Sequence, residues 1–214
     1  MRSFFNYENG VMNTINKVAD SVTLGVLWVL FSLPVFTMGA SSAAFYYAYN
    51  RCIRQKMGYA WKTFLESFKS NFKQSTQIWL IILAFSLIAV LDCYLLALMK
   101  NAGFWVRIIQ AAIMIVMLAG LIWTLYLFPY LSRFDLPNKA VMKNCALIML
   151  ANMPQSILLL VVYTVCVAGF IYLPLLNLFI PSLYMLCASR IQEKIFRKYM
   201  RPEDLEKETT ALSE

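Results

Sequence analysis

Few residues in this chain have types and spacing that suggest chemistry. Asp92 is the one carboxylate well inside a long apolar run. A charge near a bilayer centre costs at least roughly 2.5–3.5 kcal/mol, so such a group is by default a solute or proton site. Arg107 lies a short turn away, beside Phe104 and Trp105. Asp92 either marks a solute or proton site, with Arg107 as its second candidate residue, or is a structural group that pairs with Arg107 or snorkels to the interface. Arg107 by itself reads as an interfacial anchor. The chain has no histidine, which removes the commonest general base and metal ligand. Its five cysteines form no C-x-x-C pair and read as small apolar packing residues. No Walker A, H-E-x-x-H or G-x-S-x-G sequence is present. Neither an enzyme nor a bound cofactor is expected.

A second set of candidates lies on an amphipathic stretch over 59–78. Trp61, Phe64, Leu65, Phe68 and Phe72 recur at helical spacing, and Lys62, Glu66, Lys69 and Lys73 fall on the other side. One reading lays the apolar face among lipid headgroups, with the lysines on anionic lipid phosphates. The other makes Lys62, Lys69, Asn71 and Lys73 a contact surface for a cytoplasmic or membrane partner.

The composition dictates what must position these residues. The chain is 61% hydrophobic and only 14% charged over 214 residues. A soluble domain is nearer 45–50% apolar and a quarter charged. So few charges cannot cover a water-soluble surface, and lipid must take the rest. The fold class expected is all-α, a polytopic transmembrane helical bundle with short interfacial amphipathic helices. A single domain over 1–202 precedes an acidic, disordered tail over 203–214. The net charge of +8 sits in short loops between apolar runs, which points to topology and anionic lipid rather than nucleic acid.

A crossing of about 30 Å takes about 20 helical residues. Thirty uncharged residues separate Asp20 from Arg51, 25 run from Ile108 to Ser132, and 46 run from Asn144 to Ser189. Between Lys73 and Lys100 the one charge is Asp92. Spans are expected near 79–99 and 104–127. A hairpin near 148–171 and 175–189 is broken at Leu173-Pro174. The first interval, punctuated by Pro34 and Gly39, is either two short tilted helices or one crossing plus an interfacial helix. Six spans result, or alternatively five. Tyr46, Tyr47 and Tyr49 read as an aromatic belt. Gly39–Ala44 is a small-residue stretch through which a homo-oligomer could form. Basic residues dominate 51–73, 133–143 and 190–201. The positive-inside rule therefore places loops 51–78 and 132–144 and the C-terminus in the cytoplasm of a multi-pass cell-membrane protein.

The run Leu27-Trp28-Val29-Leu30-Phe31-Ser32-Leu33-Pro34-Val35, followed by Gly39-Ala40-Ser41-Ser42-Ala43-Ala44, resembles the first block of the YesL family. Phe68-Lys69-Ser70-Asn71-Phe72-Lys73-Gln74-Ser75-Thr76 is similar to that family's F-K-x-N-F-K-Q-[AS]-T signature. The resemblance implies a small integral membrane protein of Gram-positive bacteria, with no catalytic residues to carry over. It further implies an accessory role in carbohydrate uptake or its sensing. Expected partners are the lipid bilayer and an ABC sugar-transporter permease or a sensor kinase. A small-solute transporter or channel subunit using Asp92 is the alternative.

Overall fold

The structure is a computed structural model. It describes residues 2–55, 57–99, 103–134, 136–172, 177 and 179–200, with side chains from residue 15 onward. Among the described residues every regular element is helical. α1 is Arg2–Ser32, and a 3-10 turn over Val35–Thr37 leads to α2, Met38–Ala48, which runs on into a π turn over Tyr49–Arg54. α3 is Ala60–Leu98, α4 Phe104–Arg133, α5 Asn138–Ala151, α6 Met153–Tyr172 and α7 Ile180–Tyr199.

Among the described residues, four helices are long and apolar enough to cross a membrane: α1 over Ile15–Ser32, and α3, α4 and α6. Their apolar side chains face outward, as Phe85, Leu87, Ile115 and Val165 do. Such a surface is stable only against lipid. The second limb of the first hairpin does not qualify. α2 has 11 residues, about 16 Å of helix, and most of it is buried inside the protein.

The break after α1 has a local cause. Pro34 has no N–H to continue the helix, and the Thr37 hydroxyl sits within hydrogen-bond distance of the Phe31 and Pro34 carbonyls. The indole of Trp79 donates to the Val35 carbonyl at 2.7 Å, pinning the turn to α3. Gly39 then allows close approach. A Cβ there would lie 2.7 Å from Phe128 Cε1, 2.8 Å from Trp79 Cβ and 3.0 Å from the Ser75 carbonyl. Ala40, Ala43 and Ala44 are fully buried in the same packing. The small-residue stretch is therefore consumed within the chain and is not free to join two copies, as the oligomer reading required.

The amphipathic stretch and the span expected after it form one helix, α3, of 39 residues, about 58 Å long. The centre of its apolar face packs against α1. Phe64 is fully buried, and the rings of Phe64 and Phe68 stand 5.6 and 4.8 Å from that of Phe31. Trp61 and Phe72 stay exposed at the margins of that face.

Prolines shape the second half. Pro129 lies inside α4 and cannot donate to the Leu125 carbonyl four residues back. Gln192 of α7 fills the vacancy, its Nε2 donating to that carbonyl at 2.8 Å. The helix expected over 148–171 is two helices that meet at Asn152. The Asn152 side chain donates to the Ile148 carbonyl, and the Ser156 hydroxyl reaches the Met149 and Asn152 carbonyls. α7 packs along α6, with Ile180 against Gly169, Tyr184 against Tyr163 and Tyr199 bonded to Asn152. The Leu173-Pro174 turn and the acidic tail lie outside the described residues.

Candidate functional site

The three basic segments, distant in sequence, meet in space. Arg54 donates to the Ser189 carbonyl at 3.0 Å, and Gln74 of α3 donates to the Leu136 carbonyl at 2.7 Å. At the centre is an ion pair. Glu193 of α7 is 3% exposed, and one of its oxygens lies 3.2 Å from Arg133 Nη2 at the end of α4. The other oxygen accepts from the Tyr46 hydroxyl of α2 at 2.9 Å. Arg197, one turn along α7, stands 4.0 Å away. One carboxylate thus ties α2, α4 and α7 together. Burial, and then the Glu193 charge, push the Tyr46 phenol well above its ordinary range, so it stays a neutral donor.

The packing around this pair is aromatic. Phe196 is fully buried and meets Tyr46, Tyr130 and Phe134 edge-on, with centroids 5.7–6.2 Å apart. The tyrosine cluster is therefore no belt. Tyr46 and Tyr49 are buried, and Tyr47 is half-buried. Composition could not reveal this pair. Its one signal was Glu193, the lone acid in an otherwise basic 190–201, flanked by Gln192 and Lys194.

Beside the ion pair lies a cavity of about 330 Å3. Tyr47, Asn50, Arg51, Gln55, Ser132 and Arg133 supply its polar lining. Arg51 is held in place by its own helix, donating to the Tyr47 hydroxyl at 2.6 Å. Asn50 is 5% exposed. Its side-chain carbonyl accepts from Arg54, and its side chain also hydrogen-bonds the Tyr46 hydroxyl.

The lysine candidates project from the rigid first half of α3. Lys62, Lys69 and Lys73 are exposed, while Thr63, Phe64 and Ser67 between them are buried. Asn71 differs from them. It is half-buried, and its amide donates back to the Ser67 carbonyl at 3.0 Å and hydroxyl at 3.3 Å. The Phe68–Thr76 block thus divides its work: Phe68 packs, Gln74 clamps Leu136, Ser75 is buried, and the two lysines face out.

Asp92 and Arg107 are both exposed, on α3 and α4 respectively. No ion pair joins them among the described residues, and neither lines the cavity. Lys100 lies outside the described residues. Asn144 and Asn152 donate to the hydroxyls of Tyr130 and Tyr199 at 3.1 Å each. All five cysteines are free thiols, and burial drives the Cys145 thiol far up. No cluster of metal-ligating residues exists among the described residues.

Residues 22–93 match the family described as "Protein of unknown function, DUF624". Both blocks that carry the YesL resemblance fall inside that match, and DUF624 is consistent with that family. The DUF624 segment covers the end of α1, all of α2 and nearly all of α3. It includes the Gly39 contact and the exposed lysines, while Arg133 and Glu193 lie beyond it. No curated protein and no solved structure matches the chain.

Proposed function

We propose that this chain is a non-catalytic accessory protein of the cell membrane, serving carbohydrate uptake by an ABC transporter or its sensing. It docks its permease or sensor-kinase partner on the lysine strip of α3. One observation carries the reading: Lys62, Lys69 and Lys73 are exposed on a helix whose opposite face is locked into the protein core. A preorganised charged strip loses little on binding, and it can select an acidic partner surface. The carbohydrate assignment rests on the YesL resemblance, with which the DUF624 match is consistent.

The strip faces the cytoplasm. The positive-inside rule favours that side for segments 51–73, 133–143 and 190–201. Contacts from Arg54 to Ser189 and from Gln74 to Leu136, together with the Arg133–Glu193 pair, gather those segments at one end of the protein. α3 and α4 then run out and back, and α7 packs along α6. Anionic lipid at that membrane face is the second contact of the lysines.

The test is co-purification from native membranes after gentle extraction, read by mass spectrometry. The tagged wild-type chain should bring down permease or sensor-kinase subunits. A variant carrying Lys62→Glu, Lys69→Glu and Lys73→Glu should insert normally and lose them. Unchanged recovery from that variant would sink the docking claim.

A further inference from the structure

We infer that α5 is an interfacial helix: its outer face holds anionic lipid headgroups with Lys139 and Lys143 and lays Leu147 and Leu150 among the acyl chains. α5 has 14 residues, about 21 Å of helix, too short to cross a core of about 30 Å. Its two sides differ. Val141, Cys145 and Ile148 are buried in the protein. Lys139, Lys143, Leu147 and Leu150 follow one another at steps of four, four and three on the opposite side, and all are exposed. The two leucines stand 55% and 59% exposed. Neither lysine forms an ion pair or a hydrogen bond among the described residues.

Contacts to two neighbouring helices set the level of α5. The Asn138 amide donates to the Gln77 side chain at 3.4 Å, and Gln74 clamps the Leu136 carbonyl. Lys73, the last lysine of α3, lies one turn before Gln77, and the exposed Leu80 and Ile81 lie one turn after it. On α4, the Trp123 indole donates to the Met142 carbonyl at 3.2 Å. The start of α5 is therefore held where the charged half of α3 gives way to its apolar half. For a helix that crosses there, this is the headgroup level. From Lys143 the exposed stripe advances about 6 Å to Leu147 and about 10 Å to Leu150. An inclined helix of that reach covers the roughly 5–10 Å to which an interfacial apolar face sinks. The stripe then continues across the Asn152 break, through Met153, to Ile157 and Val161 on the outward face of α6. That continuity, with the lysines first and the leucines next to the membrane face of α6, selects lipid as the occupant. Two unpaired lysines one turn apart favour anionic over zwitterionic headgroups.

The inference rests on the membrane reading of α3 and α4 but not on a partner docked at the lysine strip, and the readout is local to α5. Full-length protein carrying the photoreactive residue p-benzoylphenylalanine in place of Leu147 is placed in nanodiscs of equal phosphatidylcholine and phosphatidylglycerol. After irradiation its adducts are weighed by mass spectrometry. Lipid adducts are expected, enriched in phosphatidylglycerol over the equal mixture. Each lysine should favour the anionic headgroup by about fivefold, so Lys139→Gln with Lys143→Gln should return the adduct ratio to that of the mixture. The triple lysine-to-glutamate variant of α3 should keep the wild-type ratio, which separates failure of the docking strip from failure here. The same label is then irradiated in native membranes, where lipid adducts are again expected. Adducts at the mixture ratio, a ratio that the double lysine variant leaves unchanged, or protein adducts in place of lipid in native membranes would each overturn the assignment.

Discussion

Replacing Arg133 with methionine should be far more damaging than replacing Glu193 with glutamine, although each breaks the same ion pair. In Arg133→Met the Glu193 carboxylate stays in place at 3% exposure. It keeps the Tyr46 hydroxyl bond and an Arg197 nitrogen 4.0 Å away on a half-exposed side chain. Stranding one member of a buried pair costs about 3–5 kcal/mol. Arg197 compensates in part, which sets the expectation at about 3 kcal/mol. In Glu193→Gln the amide oxygen still accepts from Tyr46. The Arg133 side chain, 15% exposed and lining the cavity, can be hydrated there. That loss should be about 1–2 kcal/mol. A double variant, Arg133→Met with Glu193→Gln, leaves no stranded charge. It should cost less than Arg133→Met alone, with a coupling energy of about 1–3 kcal/mol. Unfolding free energies from denaturing-detergent titrations of the purified protein measure all three. Equal losses in the two single variants, or a double variant that costs their sum, would refute the account of a buried carboxylate that depends on Arg133.

Two further substitutions probe the packing. Gly39→Ala should lower the unfolding free energy by about 1–3 kcal/mol. The added methyl meets Trp79 Cβ and the Ser75 carbonyl, neither of which can swing aside, and the same detergent titration reads the change. Gln192→Leu should cost about 1–3 kcal/mol by orphaning the Leu125 carbonyl. In the background of Pro129→Ala, which restores the helix's own donor, the same change should cost less. Equal costs in the two backgrounds would remove Gln192 from its role in α4.

Much of the architecture was legible in the chain itself. Charge scarcity set the solvent as lipid, and the uncharged intervals located α3, α4 and α6. The Leu33-Pro34 break lies where proline chemistry put it. The amphipathic period over 59–78 correctly separated Phe64 and Phe68 from Lys62, Lys69 and Lys73. A helical period, however, only sorts side chains onto faces. It does not say whether an apolar face meets lipid or protein, and here Phe31 of α1 covers it. The same blindness made Gly39–Ala44 look like an oligomer seam, because a close helix approach within one chain and between two chains demands the same small residues. Tertiary structure alone brought Glu193, Arg133 and Tyr46 together from three helices, and with them the cavity. Sequence separations of 60 and 147 residues leave no local pattern, since a long-range ion pair depends on where whole helices cross. What the sequence determined, then, is the medium and the break points, which follow from transfer free energy and backbone chemistry residue by residue. Only the packed structure decided which polar groups share a site.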